Sequence, residues 1–281
     1  MSGDDRALAR YFDAYAGDYL AKGYEADRPG VYPVFRLRHR AILDLARDLP
    51  PGRALDVGCG CGRMVADLAE RGWDATGIDL SPRMIEEAQT LLGRIGIAPD
   101  RARVLCASLD RAGLPEGSFD LVTAAGVLDY QPQDDEFLAS LARLLRPGGT
   151  LILSARNRLC PAVLFWRAVR RVARLPLLGT LLRAAEGLLR RLLRRPRAAG
   201  DADPSIILQR EHVPGALDRA LHDAGFDKTG RAWTHFYALP FPLSRMMPRL
   251  DVRLGLRLEA LSRTPFGILG SCYIVRARKR P

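Results

Sequence analysis

No uncharged apolar run in the sequence approaches the roughly eighteen residues a membrane-spanning helix needs, which argues against a transmembrane chain. The opening residues, Met-Ser-Gly-Asp-Asp-Arg, have neither the basic start nor the apolar stretch of a secretory signal. Five cysteines (59, 61, 106, 160 and 272) are scattered without metal-ligand spacing or a disulfide framework, so no metal is expected and a reducing, cytoplasmic setting follows. Histidine is scarce, at four residues (39, 212, 222 and 235). Apolar residues are not: at 48% of 281 residues they suffice for the core of one large domain or two modest ones.

Acidic residues are nearly missing from one segment. Between Arg156 and Arg197 there are twelve arginines, no lysine and a single acid, Glu186, which accounts for the whole net charge of +11. The rest of the chain is electrically balanced.

The most informative stretch is residues 53–62, Arg-Ala-Leu-Asp-Val-Gly-Cys-Gly-Cys-Gly. Ala54, Leu55 and Val57 around Asp56 form a short buried strand. Gly58, Gly60 and Gly62 then lead into a helix over Met64–Glu70. Glycines at such a junction let main chain approach a ligand, and the helix start offers unpaired N–H groups. A dinucleotide fingerprint would place its third glycine at position 63, which is Arg63, and no phosphate-loop lysine follows. The pattern Asp-x-Gly-x-Gly-x-Gly resembles motif I of the class I S-adenosylmethionine-dependent methyltransferases. That resemblance implies S-adenosyl-L-methionine as cofactor, held by Asp56, Gly58, Cys59, Gly60 and Gly62.

Other segments extend the likeness across about residues 50–155. A second strand, Asp74–Ile78, ends at Asp79 and is followed by Ser81-Pro82, a helix cap and first turn. A carboxylate there suits the two vicinal hydroxyls of a ribose. The family places its ribose acid at this point, with Leu80 and Met84 beside it. After a third strand, Arg103–Cys106, relatives usually carry an acid for the adenine amino group, but this chain reads Cys106-Ala107-Ser108. Ser108, the backbone of Leu109, or Asp110 is left to take its place. The run from Gly117-Ser118-Phe119-Asp120 through Ala125 and Asp129-Tyr130 to Arg146-Pro147-Gly148-Gly149 resembles the second half of the same core, with Ala125 at the cofactor. A helix over Asp134–Leu145 and a fifth strand over Thr150–Ser154 complete a βαβαβαβ alternation, which by itself argues a parallel sheet.

The fold expected is therefore α/β, a Rossmann-like seven-stranded, mostly parallel sheet with helices on both faces and a basic helical insertion after the fifth strand. Four regions are expected. Residues 1–50 form a helical arm over the active site, in which the spacing of Leu8, Tyr11, Phe12, Tyr15 and Tyr19 predicts an aromatic stripe. By the resemblance Tyr19 touches the cofactor; packing on the core explains the stripe equally well. A second helix spans Val34–Leu49. Residues 51–156 are the binding core and 157–210 a lid. Residues 211–281 complete the core with a helix over His212–Gly225, strands near Lys228–Phe236 and Cys272–Ala277, and a segment at 243–262 whose leucines fit helix and strand alike, read here as helix.

Within the lid, a helix from Pro161 carries Arg167, Arg170, Arg171 and Arg174 on one face, with Phe165 and Trp166 among its apolar residues. A second helix after Gly179 has leucines on one side and arginines on the other, and Pro196–Pro204 reads as a flexible exit. Basic helices with leucine, phenylalanine and tryptophan opposite fit a membrane surface better than nucleic acid, so 160–197 is a candidate for peripheral membrane contact. A charged outer face of an ordinary lid is the plainer alternative.

The function expected is methyl transfer to a small, lipophilic acceptor, most simply at oxygen. In-line transfer needs alignment and water exclusion, and an oxygen acceptor gains from a base. His212 leads as that base because relatives acting on quinols or phenols often carry a basic residue there. His235 is the weaker choice. Asp129 or Tyr130 would orient the acceptor, and Tyr130 could equally serve as a lid aromatic. The alternatives are an RNA methyltransferase using the arginine-rich segment and a non-catalytic membrane-binding protein with this fold.

Overall fold

The computed structural model describes residues 3–25, 30–172, 209–239 and 243–281. The second basic helix of the lid and its flexible exit lie outside the described residues.

An arm comes first. Helix α1 (Gly3–Leu20) continues into a π-helical turn (Ala21–Glu25), and α2 (Val34–Ala46) follows. The core then alternates β1 (Arg53–Val57), α3 (Arg63–Glu70), β2 (Asp74–Asp79), α4 (Pro82–Arg94) and β3 (Ala102–Cys106). Next come β4 (Phe119–Ala125), α5 (Asp134–Leu144), β5 (Leu145–Arg156) and α6 (Pro161–Val172). The chain closes with α7 (Pro214–Asp223), β6 (Phe226–Thr234), α8 (Leu243–Met246), α9 (Pro248–Leu258) and β7 (Cys272–Lys279).

The seven strands are ordered β3-β2-β1-β4-β5-β7-β6. The first five run parallel, while β7 is antiparallel to both β5 and β6. Chain order reverses between β1 and β4, which opens a crevice at their carboxyl ends where ligands bind in such sheets. Both faces are covered. Buried residues of α2, α3 and α4 pack one side, and those of α5 and α7 the other.

Residues 107–118, between β3 and β4, form a loop; Gly113, Pro115 and Gly117 leave no room for a helix. Two expectations needed correction. Helix α7 begins at Pro214, not at His212. Proline at the first turn holds the preceding residue extended, and His212 instead bridges Asn157 beside β5. Strand β6 starts two residues earlier and ends at Thr234, since His235 breaks it with a positive φ of 64°. The segment after residue 243 is helical, as read.

Candidate active site

The turn between β1 and α3 is built on glycines that other residues could not replace. Gly58 has φ +69°, and a Cβ there would stand 2.4 Å from Val127 Cγ2. Gly62 has φ +76°, and its Cβ would meet Ala88 Cβ at 2.7 Å. The loop is tied to β2 at its base, where the amides of Gly58 and Cys59 donate to the Ile78 carbonyl at 2.8 and 3.0 Å. Asp79 completes the tie: its Oδ2 accepts from the Gly60 amide and its Oδ1 from the Ser81 amide, both at 2.9 Å. Burial raises the Asp79 pKa above the usual carboxylate range even though these amides oppose the shift. Ser81 caps α4 by accepting from the Met84 amide, while its own hydroxyl donates to Asp13 on α1 at 2.5 Å. The arm is thereby fastened over the carboxyl edge of the sheet.

A cavity of about 1850 Å³ runs from this loop beneath the arm. Roughly 300–1,000 Å³ suffices for one drug-sized ligand, so there is space for two. At one end it is lined by Gly58, Gly60, Asp79, Leu80, Met84 and Ala125, with Ser108, Leu109 and Asp110 where the missing acid of β3 would stand. The aromatic stripe of α1, including Tyr19, forms its roof. Tyr130 lines the wall, with its ring 5.6 Å from that of Phe12. Asp56 and Cys59 border a small adjoining recess shared with Gly58 and Gly60. Gly62 shapes the loop and touches neither space.

Asp56 is fully enclosed at the end of β1. Its Oδ1 accepts from the Thr123 hydroxyl at 2.6 Å, yet burial pushes its pKa up to about 7. Near it stands Arg38 of α2, packed over the Phe35 ring and against Gly126, with no hydrogen bond or ion pair among the described residues.

His212 is not in the cavity wall. It is buried behind Asp129, with Nδ1 3.4 Å from Asp129 Oδ1 and Nε2 3.3 Å from Asp134 Oδ1. Burial acts to lower its pKa, but the two carboxylates prevail and raise it. Asp129 does line the cavity, and its Oδ1 also accepts from the Arg156 amide at 2.9 Å. His235 lines the cavity at the far end. Its Nδ1 lies 2.8 Å from Ser271 Oγ, and its ring packs between Tyr32 and Tyr237. Burial, reinforced by the charge of Arg156, drops its pKa to about 4, so this imidazole is neutral at ordinary pH.

Residues 55–153 match a family model described as a methyltransferase domain. Over this stretch, about a third of its length, the chain is similar to methyltransferase domains. Among curated relatives, a ubiquinone biosynthesis O-methyltransferase of Dechloromonas aromatica is 37% identical over 123 residues, covering 44% of this chain and 52% of the relative. One of Methylococcus capsulatus is 33% identical over 178 residues, 63% of this chain and 64% of the relative. The chain therefore spans less than two thirds of these relatives' lengths. Of solved structures, magnesium protoporphyrin IX methyltransferase from Synechocystis with bound SAH superposes with a TM-score of 0.58 at 19% identity, covering 98% of this chain and 99% of that one. At that identity the likeness is one of fold.

The matched core and its arm thus bring Tyr19, Gly58, Gly60, Asp79, Leu80, Met84, Ser108, Leu109, Ala125 and Tyr130 to one cavity. His212 is left one residue deep. Sequence reasoning passed over Arg38, because an arginine in an arginine-bearing helix gives no local signal. It also ranked His235 low, since its cavity position depends on a break in β6 that only the folded sheet reveals.

Proposed function

We propose that the protein transfers a methyl group from S-adenosylmethionine to a hydroxyl of a small, lipophilic acceptor. The observation that carries this reading is the glycine turn with its buried carboxylate, Asp79, opening onto a cavity with space for a second molecule. The residues fit the cofactor. Each Asp79 oxygen accepts one amide hydrogen and keeps capacity for the ribose hydroxyls. Asp56, which makes no ion pair among the described residues, suits the ammonium of the cofactor's amino-acid end, and Arg38, which makes none either, suits its carboxylate. Ser108, Leu109 and Asp110 are left for the adenine. When bound, the cofactor supplies an electrophilic methyl group on a sulfonium.

The chain's own task is to align the acceptor and shed its proton. Asp129 meets the acceptor hydroxyl in this reading, with Tyr130 beside it. His212 acts through Asp129 as a positioning residue, holding the carboxylate from behind. The roof of Tyr11, Phe12, Tyr15 and Tyr19 excludes water, which in-line displacement requires. A lipophilic acceptor agrees with the aromatic lining and with the ubiquinone biosynthesis O-methyltransferases among the relatives.

Peripheral membrane contact is part of the proposal. Helix α6 exposes Leu164, Phe165 and Trp166 beside its arginines, as an interfacial helix does. No helix among the described residues is long and apolar enough to cross a membrane. The deciding experiment incubates the full chain with methyl-labelled cofactor and an alkyl catechol in anionic vesicles. Label in the organic phase is expected, with protein floating with the vesicles; label in added RNA, or none anywhere, would overturn the reading. Asp129→Asn should abolish turnover with cofactor binding intact, whereas His212→Asn should lower kcat and shift the pH profile.

A further inference from the structure

Helix α9 sorts its charges by face. Asp251 turns toward the chain after β6, where its Oδ1 accepts from the amides of Ala238 and Leu239 at 3.1 and 2.8 Å. Gly255, one turn on, lets the helix approach, since a Cβ there would stand 2.5 Å from both the Phe236 carbonyl oxygen and the Tyr32 ring. Glu259, one turn further, accepts from the Tyr32 hydroxyl at 2.5 Å and the His235 amide at 2.7 Å. Both acids on this side are therefore occupied in docking the helix.

The other side belongs to the cavity. Arg249, Val252, Arg253, Leu256 and Arg257 all line it. The three arginines recur every fourth residue, forming a stripe of about 12 Å at 1.5 Å per residue. None of them has a hydrogen bond or ion pair among the described residues. Such a stripe next to Val252 and Leu256 presents guanidinium groups and apolar surface together. Guanidinium forks match planar or tetrahedral oxyanions by paired N–H donation. The wall also holds His235, which is neutral at ordinary pH, and the two acids of this segment, Asp251 and Glu259, are engaged on the opposite face.

We infer that α9 binds an anionic oxygen group, a carboxylate or phosphate, carried by the acceptor itself. The acceptor is thus an amphiphile with its methylated hydroxyl at Asp129 and its acidic group at Arg249, Arg253 and Arg257. This rests on the methyl-transfer reading and specifies its substrate class. The volume beyond the cofactor cradle accommodates such a molecule, and its aromatic and aliphatic lining suits the portion between the two ends.

The test uses a matched pair of probes, a catechol bearing a long alkyl carboxylate and its primary amide. Each is titrated calorimetrically into full-length protein saturated with S-adenosylhomocysteine. The carboxylate is expected to bind about tenfold or more tighter than the amide. In Arg249→Gln/Arg253→Gln/Arg257→Gln that preference should vanish while S-adenosylhomocysteine affinity stays unchanged. Equal affinities for the two probes in the wild type, or a preference that survives the triple substitution, would overturn the inference. Vesicle flotation separates the other source of anions. If the triple variant loses binding to anionic vesicles and keeps its carboxylate preference, the stripe serves lipid headgroups and the inference fails. Absence of S-adenosylhomocysteine binding in the wild type would instead sink the underlying methyl-transfer reading.

Discussion

The amide of Gly60 donates to the carboxylate of Asp79 at 2.9 Å, so the glycine turn and the end of β2 are one structural unit. The two features are nineteen residues apart in sequence. Removing the carboxylate affects both the turn and its ligand, but to different degrees. Burial raises the Asp79 pKa in spite of the amides of Ser81, Gly60 and Leu80, which means that those bonds do not fully offset the loss of hydration. Asp79→Ala is therefore expected to change the unfolding free energy by no more than about 1–2 kcal/mol, since cavity water can meet the freed amides. Affinity for S-adenosylhomocysteine should fall by about two orders of magnitude, as two charge-assisted bonds to the ribose disappear. Chemical denaturation and calorimetry on the same variant check both halves.

Gly58 and Gly62 each combine strain with contact. Both have positive φ, so alanine at either position costs about 1–2 kcal/mol for backbone conformation alone. Alanine at 58 also drives its Cβ into Val127, and alanine at 62 drives its Cβ into Ala88; overpacking of this kind adds about 1–3 kcal/mol. Gly58→Ala is expected to be the more harmful to ligand binding, because Val127 lines the cavity. Pairing it with Val127→Ala should restore the packing part and leave the conformational part. Thermal midpoints of the single and double variants would settle this; full recovery in the double variant would show that backbone strain is absent.

Much of this was legible in the sequence for a physical reason. The binding turn is local: strand, alternating glycines, helix start and a capped β2–α4 junction are each encoded within a few residues. The same holds for β1 and β2, whereas the leucines of the helix at 248–258 fit helix and strand alike, and only the family resemblance favours helix. What could not be read is what depends on chain segments meeting. His212 reads as a base from its place after the lid, but its rank behind Asp129 is set by Asn157 and Arg156 of β5 pairing with its backbone. Arg38 enters the site only because α2 lies across the sheet.

Asp56 is predicted to trade stability for binding. Its folded pKa of about 7 lies above the unfolded value near 3.8. The protein therefore binds an extra proton when folded; this contribution is complete below about pH 4 and lost as pH rises through 7. At pH 8 the ionised, enclosed carboxylate carries a cost on the order of a few kcal/mol, at about 1.4 kcal/mol per pKa unit. Asn at this position retains an oxygen for the Thr123 hydroxyl without the charge. Asp56→Asn is expected to raise the thermal midpoint of the ligand-free protein at pH 8 and leave it nearly unchanged at pH 4. Cofactor affinity should weaken, because the proposed ammonium partner loses its counter-charge. A midpoint that falls at pH 8 would contradict the assignment.

His212 provides the complementary test at higher pH. Its carboxylate neighbours, Asp129 and Asp134, raise its pKa above 6.5 in the folded protein. The stabilisation is fully present below pH 6.5, where the histidine is charged in both states, and is lost as pH rises through the folded pKa. Wild-type protein should therefore lose stability above pH 6.5, and because Asp56 is only half-titrated at about pH 7, the His212 part is isolated by comparing wild type with His212→Asn. His212→Asn removes the titrating group, so its unfolding free energy should be lower at pH 6 and flatter between pH 7 and 9. Urea unfolding at a series of pH values measures this. If the two curves run parallel, His212 is not charged between its carboxylates, and its action through Asp129 must be steric rather than electrostatic.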